Sequence, residues 1–351
     1  MWEYRFSEIR PDDRAAVAEL DALLARNGIR RDAHLDYIVG LYDDERGEAD
    51  EKLVATGACF ANTLRCFAVD DAHQGEGLMN RVVSHLVSRQ IAHGNAHLFL
   101  YTKPDTARFF HDLGFYKIAD THDVVFMENK RDGFSSFLEA LAEERRDGTS
   151  AALVMNCNPF TLGHLHLVER AAGENDNVHL FVVSEDASFF PFEDRFRLVA
   201  AGTAHLTNVS LHPSSSYMIS QAVFPSYFLE EGESVIRAQA SLDVSLFARI
   251  AHAIGVTKRY VGDEPFSRVT GIYNDIMKER LPRAGVECVV VPRFELDGVP
   301  VSASHVRQLI HDGRVEEARH LVPATTFDYF STEEGRRVVR RIEEAGRVKH
   351  Y

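Results

Sequence analysis

Cysteine is scarce in this chain, with four residues, Cys59, Cys66, Cys157 and Cys288, in 351 positions. No two form a C-x-x-C pair, which excludes the usual zinc and dithiol redox sites, and the spacing is no disulfide framework for a chain this long. Reduced thiols in the cytoplasm are the expectation. Basic charge is short as well: 39 Lys and Arg face 53 Asp and Glu, a net charge of −14. That balance argues against nucleic acid as a partner, because a duplex binder neutralises phosphates with clustered cations. Long apolar runs are missing too. No stretch approaches the ~18 residues a membrane span needs, and Met1-Trp2-Glu3-Tyr4-Arg5 has neither the basic nor the apolar region of a leader, so no membrane partner is expected. Repeats and low-complexity tracts are likewise absent.

What is present suits two globular domains. Hydrophobic residues make up 45% and charged residues 26%, enough apolar side chain for ample core, and the length exceeds one ordinary domain. The charged stretch Glu143-Glu144-Arg145-Arg146-Asp147-Gly148-Thr149-Ser150 reads as a helix end and linker. It sets the expected division: one domain over 1–130, a helical linker over 131–150 and a second domain over 151–351. Downstream, strand-like runs at Val178–Val183, Val209–His212, Arg259–Gly262 and Val286–Val291 alternate with helix-length segments. This alternation predicts a doubly wound parallel sheet with ligands at the carboxyl ends of its strands. Upstream, the reading is a strand near Tyr4–Phe6, a helix near Asp12–Asn27, and strands at Leu53–Phe60 and Leu64–Val69.

Asn156-Cys157-Asn158-Pro159-Phe160-Thr161-Leu162-Gly163-His164 lies between the apolar run Ala151–Met155 and the amphipathic run Leu165–Ala172. It reads as a strand, a tight loop and a helix start. Thr161-Leu162-Gly163-His164 resembles the T/H-x-G-H signature of the nucleotidyltransferase superfamily, which implies attack on the α-phosphate of a nucleoside triphosphate. The chemistry fits these residue types. Gly163 lets backbone approach a triphosphate, the helix start offers amides and partial positive charge, and His164 can donate to phosphate oxygens. His166, two residues on, points elsewhere on the helix and reads as structural or solvated. Cys157 reads as a small buried hydrophobe rather than a nucleophile.

The superfamily's second phosphate clamp is a serine-led helix start ending in arginine, and Val301-Ser302-Ala303-Ser304-His305-Val306-Arg307 is similar to it. Ser302 is a natural N-cap, Gly313 can close the helix at C′, and Val306, Leu309 and Ile310 form its buried stripe. The Arg307 fork suits phosphate oxygens. Phe190-Pro191-Phe192-Glu193-Asp194-Arg195 resembles a segment of related adenylyltransferases and implies a cation at Arg195 near the second ligand or the phosphates, with a helix-start ion pair equally open. Glu264 reads either as a nucleotide or substrate contact or as a turn carboxylate.

In the first domain, Gln74-Gly75-Glu76-Gly77-Leu78-Met79 precedes a helix through Val82, Val83, Leu86 and Val87. The segment resembles the acetyl-CoA-binding turn of the GNAT acyltransferase fold, an α+β architecture, and Phe109-Phe110-His111-Asp112-Leu113-Gly114-Phe115 is similar to that fold's late aromatic segment. The resemblance implies that Gln74, Gly75, Gly77 and Leu78 hold the pyrophosphate of a CoA-like arm. Met79 stands where the family has Gly or Ala, and its bulk is expected to narrow the turn.

Taken together, these strings resemble the citrate lyase ligase family across both domains. Further strings add to the likeness, at Thr102-Lys103-Pro104, Leu113-Gly114-Phe115-Tyr116, Tyr217-Met218-Ile219-Ser220, Phe224–Leu229, Gly262-Asp263-Glu264-Pro265 and Val269–Asn274. The resemblance implies an acid–thiol ligase using ATP and Mg2+. Acetate becomes acetyl-adenylate with release of pyrophosphate, and the acetyl group passes to the dephospho-CoA-derived thiol of the acyl carrier subunit of citrate lyase. His164, Thr161 and Arg307 would be catalytic. Asn158, Phe160, Gly163, Ser302, Ser304, Arg195 and Glu264 would bind nucleotide, and no residue is assigned as a metal ligand. Two other readings stay open: an adenylyltransferase acting on a phosphorylated cofactor precursor, and a first domain that only docks the carrier protein.

Overall fold

The computed structural model describes residues 4–43, 51–184, 188–218, 224, 232–263 and 268–346. Two compact units emerge, Met1–Ser136 with Gln221–Leu242, and Phe137–Ser220 with Asp243–Tyr351.

The first unit is built on strands β1 (Tyr4–Glu8), β2 (Tyr37–Asp43), β3 (Lys52–Phe60), β4 (Thr63–Val69), β5 (Phe99–Thr102), β6 (Tyr116–Asp120) and β7 (Val125–Glu128), in the order β1-β2-β3-β4-β5-β7-β6. Its helices are α1 (Arg14–Arg26), α2 (Leu78–Ala92) and α3 (Pro104–Asp112). Alternate strand residues face opposite sides. Tyr37, Val39 and Leu41 join one cluster with Val82, Val83 and Leu86 of α2, whereas Ile38 and Tyr42 join another with Leu20, Leu23 and Leu24 of α1. β2 is buried along most of its length, so it shows no apolar–polar alternation, and the sequence reading above misses it.

Every pair in this sheet is antiparallel except β4 with β5, which are parallel and joined only at Thr63↔Phe99 and Leu64↔Leu100. Beyond those positions the strands part. This mixed sheet with helices on both faces is the α+β architecture expected from the acyltransferase resemblance.

After α4 (Gly133–Ala142), the second unit runs through β8 (Ser150–Met155), α5 (Leu162–Glu174), β9 (Asn177–Val182), α6 (Phe192–Thr203) and β10 (Val209–Pro213). It continues with α7 (Glu233–Ile254), of which residues 243–254 belong to this unit, then β11 (Lys258–Gly262), α8 (Arg268–Arg280) and β12 (Glu287–Val291). A two-stranded hairpin, β13 (Glu295–Leu296) with β14 (Val299–Pro300), precedes α9 (Ala303–His311), α10 (Ala324–Tyr329) and α11 (Glu333–Glu343).

The five long strands are all parallel, in the order β10-β9-β8-β11-β12. The doubly wound sheet is therefore present. The chain leaves β8 in one direction and returns on its other side with β11, so the reversal of strand order falls beside β8, where such sheets bind ligands. β8 and β11 pair only at Ala151↔Lys258 and Ala152↔Arg259, and the loop that follows Met155 lies at the end where they part. On the other side of β8, β9 and β10 bring His179 and His212 together, Nδ1 to Nε2 at 3.0 Å, both buried.

Candidate functional site

The loop leaving β8 is tied down from three sides. Asn156 is exposed, Cys157 takes φ 54° and the Asn158–Pro159 peptide is cis. The Arg195 guanidinium donates to the carbonyls of Asn156 at 2.8 Å and Val183 at 2.6 Å and to the Asn156 side chain at 3.0 Å, while its Nε donates to the Phe190 carbonyl at 3.0 Å. The expectation of a cation facing the phosphates is therefore corrected. Arg195 is fully buried and shapes the loop from inside, since a cation buried to that depth needs these acceptors. Arg307 is 3% exposed and reaches from α9 to the Asn158 carbonyl and to Ser304 Oγ, the latter at 3.2 Å. It thereby links α9 to the loop after β8.

Helix α5 begins in a reciprocal cap. Thr161 N–H donates to His164 Nδ1 at 3.1 Å, and His164 N–H donates to Thr161 Oγ1 at 3.4 Å. The Thr161 hydroxyl, expected to bind phosphate, is 1% exposed and belongs to this cap; its effect is on His164. Because Nδ1 accepts an amide proton, the neutral ring carries its own proton on Nε2. His164 is held down at about 4, first by burial and then by the charges of Arg307 and Arg293. Near neutral pH it is thus an uncharged Nε2–H donor that keeps part of its surface exposed. Phe160, expected beside the nucleotide, is fully buried and lies nearly parallel to the His164 ring at 5.9 Å. It supports that ring from the core.

Gly163 is required for a reason the sequence reading did not give. A Cβ there would lie 2.8 Å from the Val301 carbonyl oxygen, so the glycine admits the chain entering α9. Leu162 N–H donates to the Leu321 carbonyl at 3.0 Å. Among the described residues, the Gly163 amide has no acceptor, nor has the buried amide nitrogen of Asn158, whose oxygen accepts from Phe190 N–H at 3.2 Å.

Ser302 caps α9 as expected, accepting from His305 N–H at 3.1 Å, and Gly313 follows the helix at φ 71°. Cys157 is buried and its thiol is pushed up to about 12, which leaves it protonated and inert. His166 stacks on Phe294 at 5.2 Å, a structural role. Glu264 lies outside the described residues. One residue of this site was missed in the sequence. Arg293 follows β12, its Nε donates to the Asp263 carbonyl at 3.1 Å, and its charge acts on His164. No motif marked it.

In the first unit, Gln74, Gly75, Gly77 and Leu78 line one cavity of about 670 Å3, whose walls include Phe67 and Val69 from β4 and Tyr101 and Thr102 from β5. The cavity occupies the gap where the parallel strands part. Gly75 at φ 87° and Gly77 at φ 74° occupy the left-handed region, and a Cβ on either would meet nothing within 4 Å. Gln74 Nε2 donates to Asp71 Oδ1 at 2.8 Å, bracing the turn. Met79 lines the same cavity and packs on the core. Lys103, at the start of α3, is a cation on this wall.

Comparison with known proteins bears on this assembly. Residues 150–330 match the family model described as the citrate lyase ligase C-terminal domain. The chain is 43% identical over 289 residues to the [citrate [pro-3S]-lyase] ligase of Klebsiella pneumoniae, covering 80% of this chain and 84% of that protein. To the enzyme of the same name from Escherichia coli K12 it is 35% identical over 332 residues, 92% and 93% of the two chains. Among solved structures, an acetyltransferase of the GNAT family from Staphylococcus aureus Mu50 aligns with 36% of this chain and 100% of its own at 13% identity and a TM-score of 0.30. With both units spanned by relatives of one kind, this chain belongs to the citrate lyase ligase family of enzymes.

Proposed function

We propose that the chain activates citrate lyase by acetylating the thiol of its acyl carrier subunit, through acetyl-adenylate made from acetate and ATP. An acetate oxygen attacks the α-phosphorus, the bond to the β-phosphate breaks and pyrophosphate leaves. The thiol sulfur of the dephospho-CoA-derived arm then attacks the acetyl carbon, giving up its proton, and AMP departs. The observation that carries this reading is the His164 cap. Thr161 fixes the tautomer, so a neutral Nε2–H is preorganised beside the Gly163 amide at the start of α5. Donors held in place where charge develops contribute ~2.7–4 kcal/mol each to lowering such barriers.

The buried amide nitrogen of Asn158 adds a donor whose acceptor a phosphate oxygen can supply. Magnesium is expected from the resemblance and would enter with the triphosphate. When bound, it would neutralise phosphate charge. The first unit's cavity supports a place for the arm, with glycine amides at the α2 start facing its pyrophosphate. Free cysteines at 59, 66, 157 and 288 suit a cytoplasmic enzyme, and no helix among the described residues is long and apolar enough to cross a membrane.

The test is incubation with ATP, magnesium and labelled acetate, with and without deacetylated citrate lyase. AMP formation and label on the carrier thiol are expected. Unlabelled carrier subunit in the presence of active protein would remove the proposal.

A further inference from the structure

We infer that the exposed arginines of α11 are the surface on which the acyl carrier subunit docks to bring its arm to the second unit. The inference rests on the adenylation reading above and names where its second substrate lands. The chain has a net charge of −14, so an anionic partner is repelled by the protein as a whole. Against that background, α11 gathers Arg336, Arg337, Arg340 and Arg341, all exposed. Residues three and four apart are neighbours on a helix surface, which joins Arg336 to Arg340 and Arg337 to Arg340 and Arg341. The other side of the helix is buried through Gly335, Val338 and Ile342. Glu333 takes Arg337 in an ion pair. Among the described residues, no carboxylate forms an ion pair with Arg336, Arg340 or Arg341.

This face is held in a fixed orientation. Thr332 caps α11, its Oγ1 accepting from Gly335 N–H at 3.0 Å, and a Cβ on Gly335 would lie 1.8 Å from the Tyr329 carbonyl oxygen. The helix is thus pressed against the end of α10 and cannot roll. Cations set in place before docking lose less freedom when a partner arrives. The second observation is continuity with the candidate site. Arg341 Nη2 donates to the Ser188 carbonyl at 3.4 Å, Ser188 Oγ and the Asn156 side chain are hydrogen-bonded at 3.2 Å, and Phe190 N–H donates to the Asn158 side chain at 3.2 Å. Residues 188–190 therefore form a strip between α11 and the loop that leads to His164. Arg336 and Arg340 lie within about 8 Å of Arg341 along the helix axis, at 1.5 Å per residue. The partner's chemistry is complementary. An arm derived from dephospho-CoA carries phosphates, so the carrier face from which it leaves is anionic, and guanidinium forks match phosphate and carboxylate oxygens.

The experiment measures acetyl transfer by the full chain with deacetylated citrate lyase as the varied substrate, beside acetate-dependent ATP–pyrophosphate exchange without it. Docking charges act on encounter rather than on chemistry. The double substitution Arg336→Glu with Arg340→Glu is expected to raise KM for deacetylated citrate lyase about 10-fold, leaving kcat and carrier-free exchange as in wild type. Wild-type KM should climb with added salt as the attraction is screened, whereas that of the variant should not. The pair Arg336→Lys with Arg340→Lys keeps the charge and should stay near wild type. Arg336→Gln with Arg340→Gln serves where the Glu pair folds poorly, and its KM should lie between the two. A KM within about twofold of wild type in the Glu and Gln pairs, with unchanged salt dependence, overturns the docking surface alone. So does a loss of carrier-free exchange that matches the loss of transfer, which would place these arginines in the adenylation site. Wild-type protein that neither exchanges nor labels the carrier overturns the adenylation reading and the inference together.

Discussion

Both units place their candidate site where two parallel strands part after only two paired positions, β4 from β5 and β8 from β11. They use the gap in opposite ways. In the first unit the gap stays open as a cavity, edged by glycines in left-handed backbone with space where a side chain would stand. In the second, the loop is drawn tight by two buried arginines and a capped helix, and Gly163 is packed against a carbonyl. The open turn suits a long, flexible arm with exposed amides. The closed turn suits chemistry, because donors held before the reaction need no reorganisation during it.

The sharpest break in this contrast would come at His164. His164→Ala removes a fixed donor and should lower acetate-dependent exchange by roughly 10²–10³-fold, while binding of dephospho-CoA to the first unit, followed by calorimetry, stays unchanged.

Acid separates the units next. His164 and His179 are both held at about 4, mainly by burial, against an ordinary value near 6.5. Below 6.5 the unfolded chain takes up protons the folded state refuses, so stability is full above that pH and is lost as pH falls toward about 4. For the enclosed His179 the loss amounts to about 3 kcal/mol. Protection factors, which correct for the slower intrinsic amide exchange in acid, should therefore fall in β9 and β10 at pH 5 relative to pH 7, with β2 and β3 less affected. Equal protection of both sheets at pH 5 would contradict the burial argument.

Gly163→Ala forces a Cβ against the Val301 carbonyl, and overpacking of this kind costs about 1–3 kcal/mol. Thermal unfolding should register the loss, and exchange should fall with it as α5 shifts. Gly77→Ala should be the mildest. It meets no neighbour, and the left-handed backbone costs about 1–2 kcal/mol, so weaker dephospho-CoA binding with undisturbed exchange is expected.

The legible parts of the sequence were those set by local physics. The helix near Asp12–Asn27, found as α1, the Ser302 cap and the Gly313 stop all follow from residue type and spacing. So does the parallel sheet, through its alternating apolar runs. β2 escaped because burial on both faces erased its period, and β5, four residues long, gave too short a signal. The arginines show the deeper limit. Charge is visible in sequence, but whether a guanidinium faces a carbonyl or a ligand depends on which strands enclose it. Arg195 and Arg307 carried motifs and are walled in, whereas Arg293 carried none and reaches the surface. Thr161 and Phe160 were recognised through their neighbours, and only packing revealed that they act on His164.

The measurement closest to the central claim is exchange of labelled pyrophosphate into ATP by the protein alone, with magnesium, and with acetate or phosphopantetheine as the second substrate. An acetyl-adenylate enzyme should exchange label with acetate and stay silent without it. Exchange that ignores acetate and requires phosphopantetheine would contradict the account.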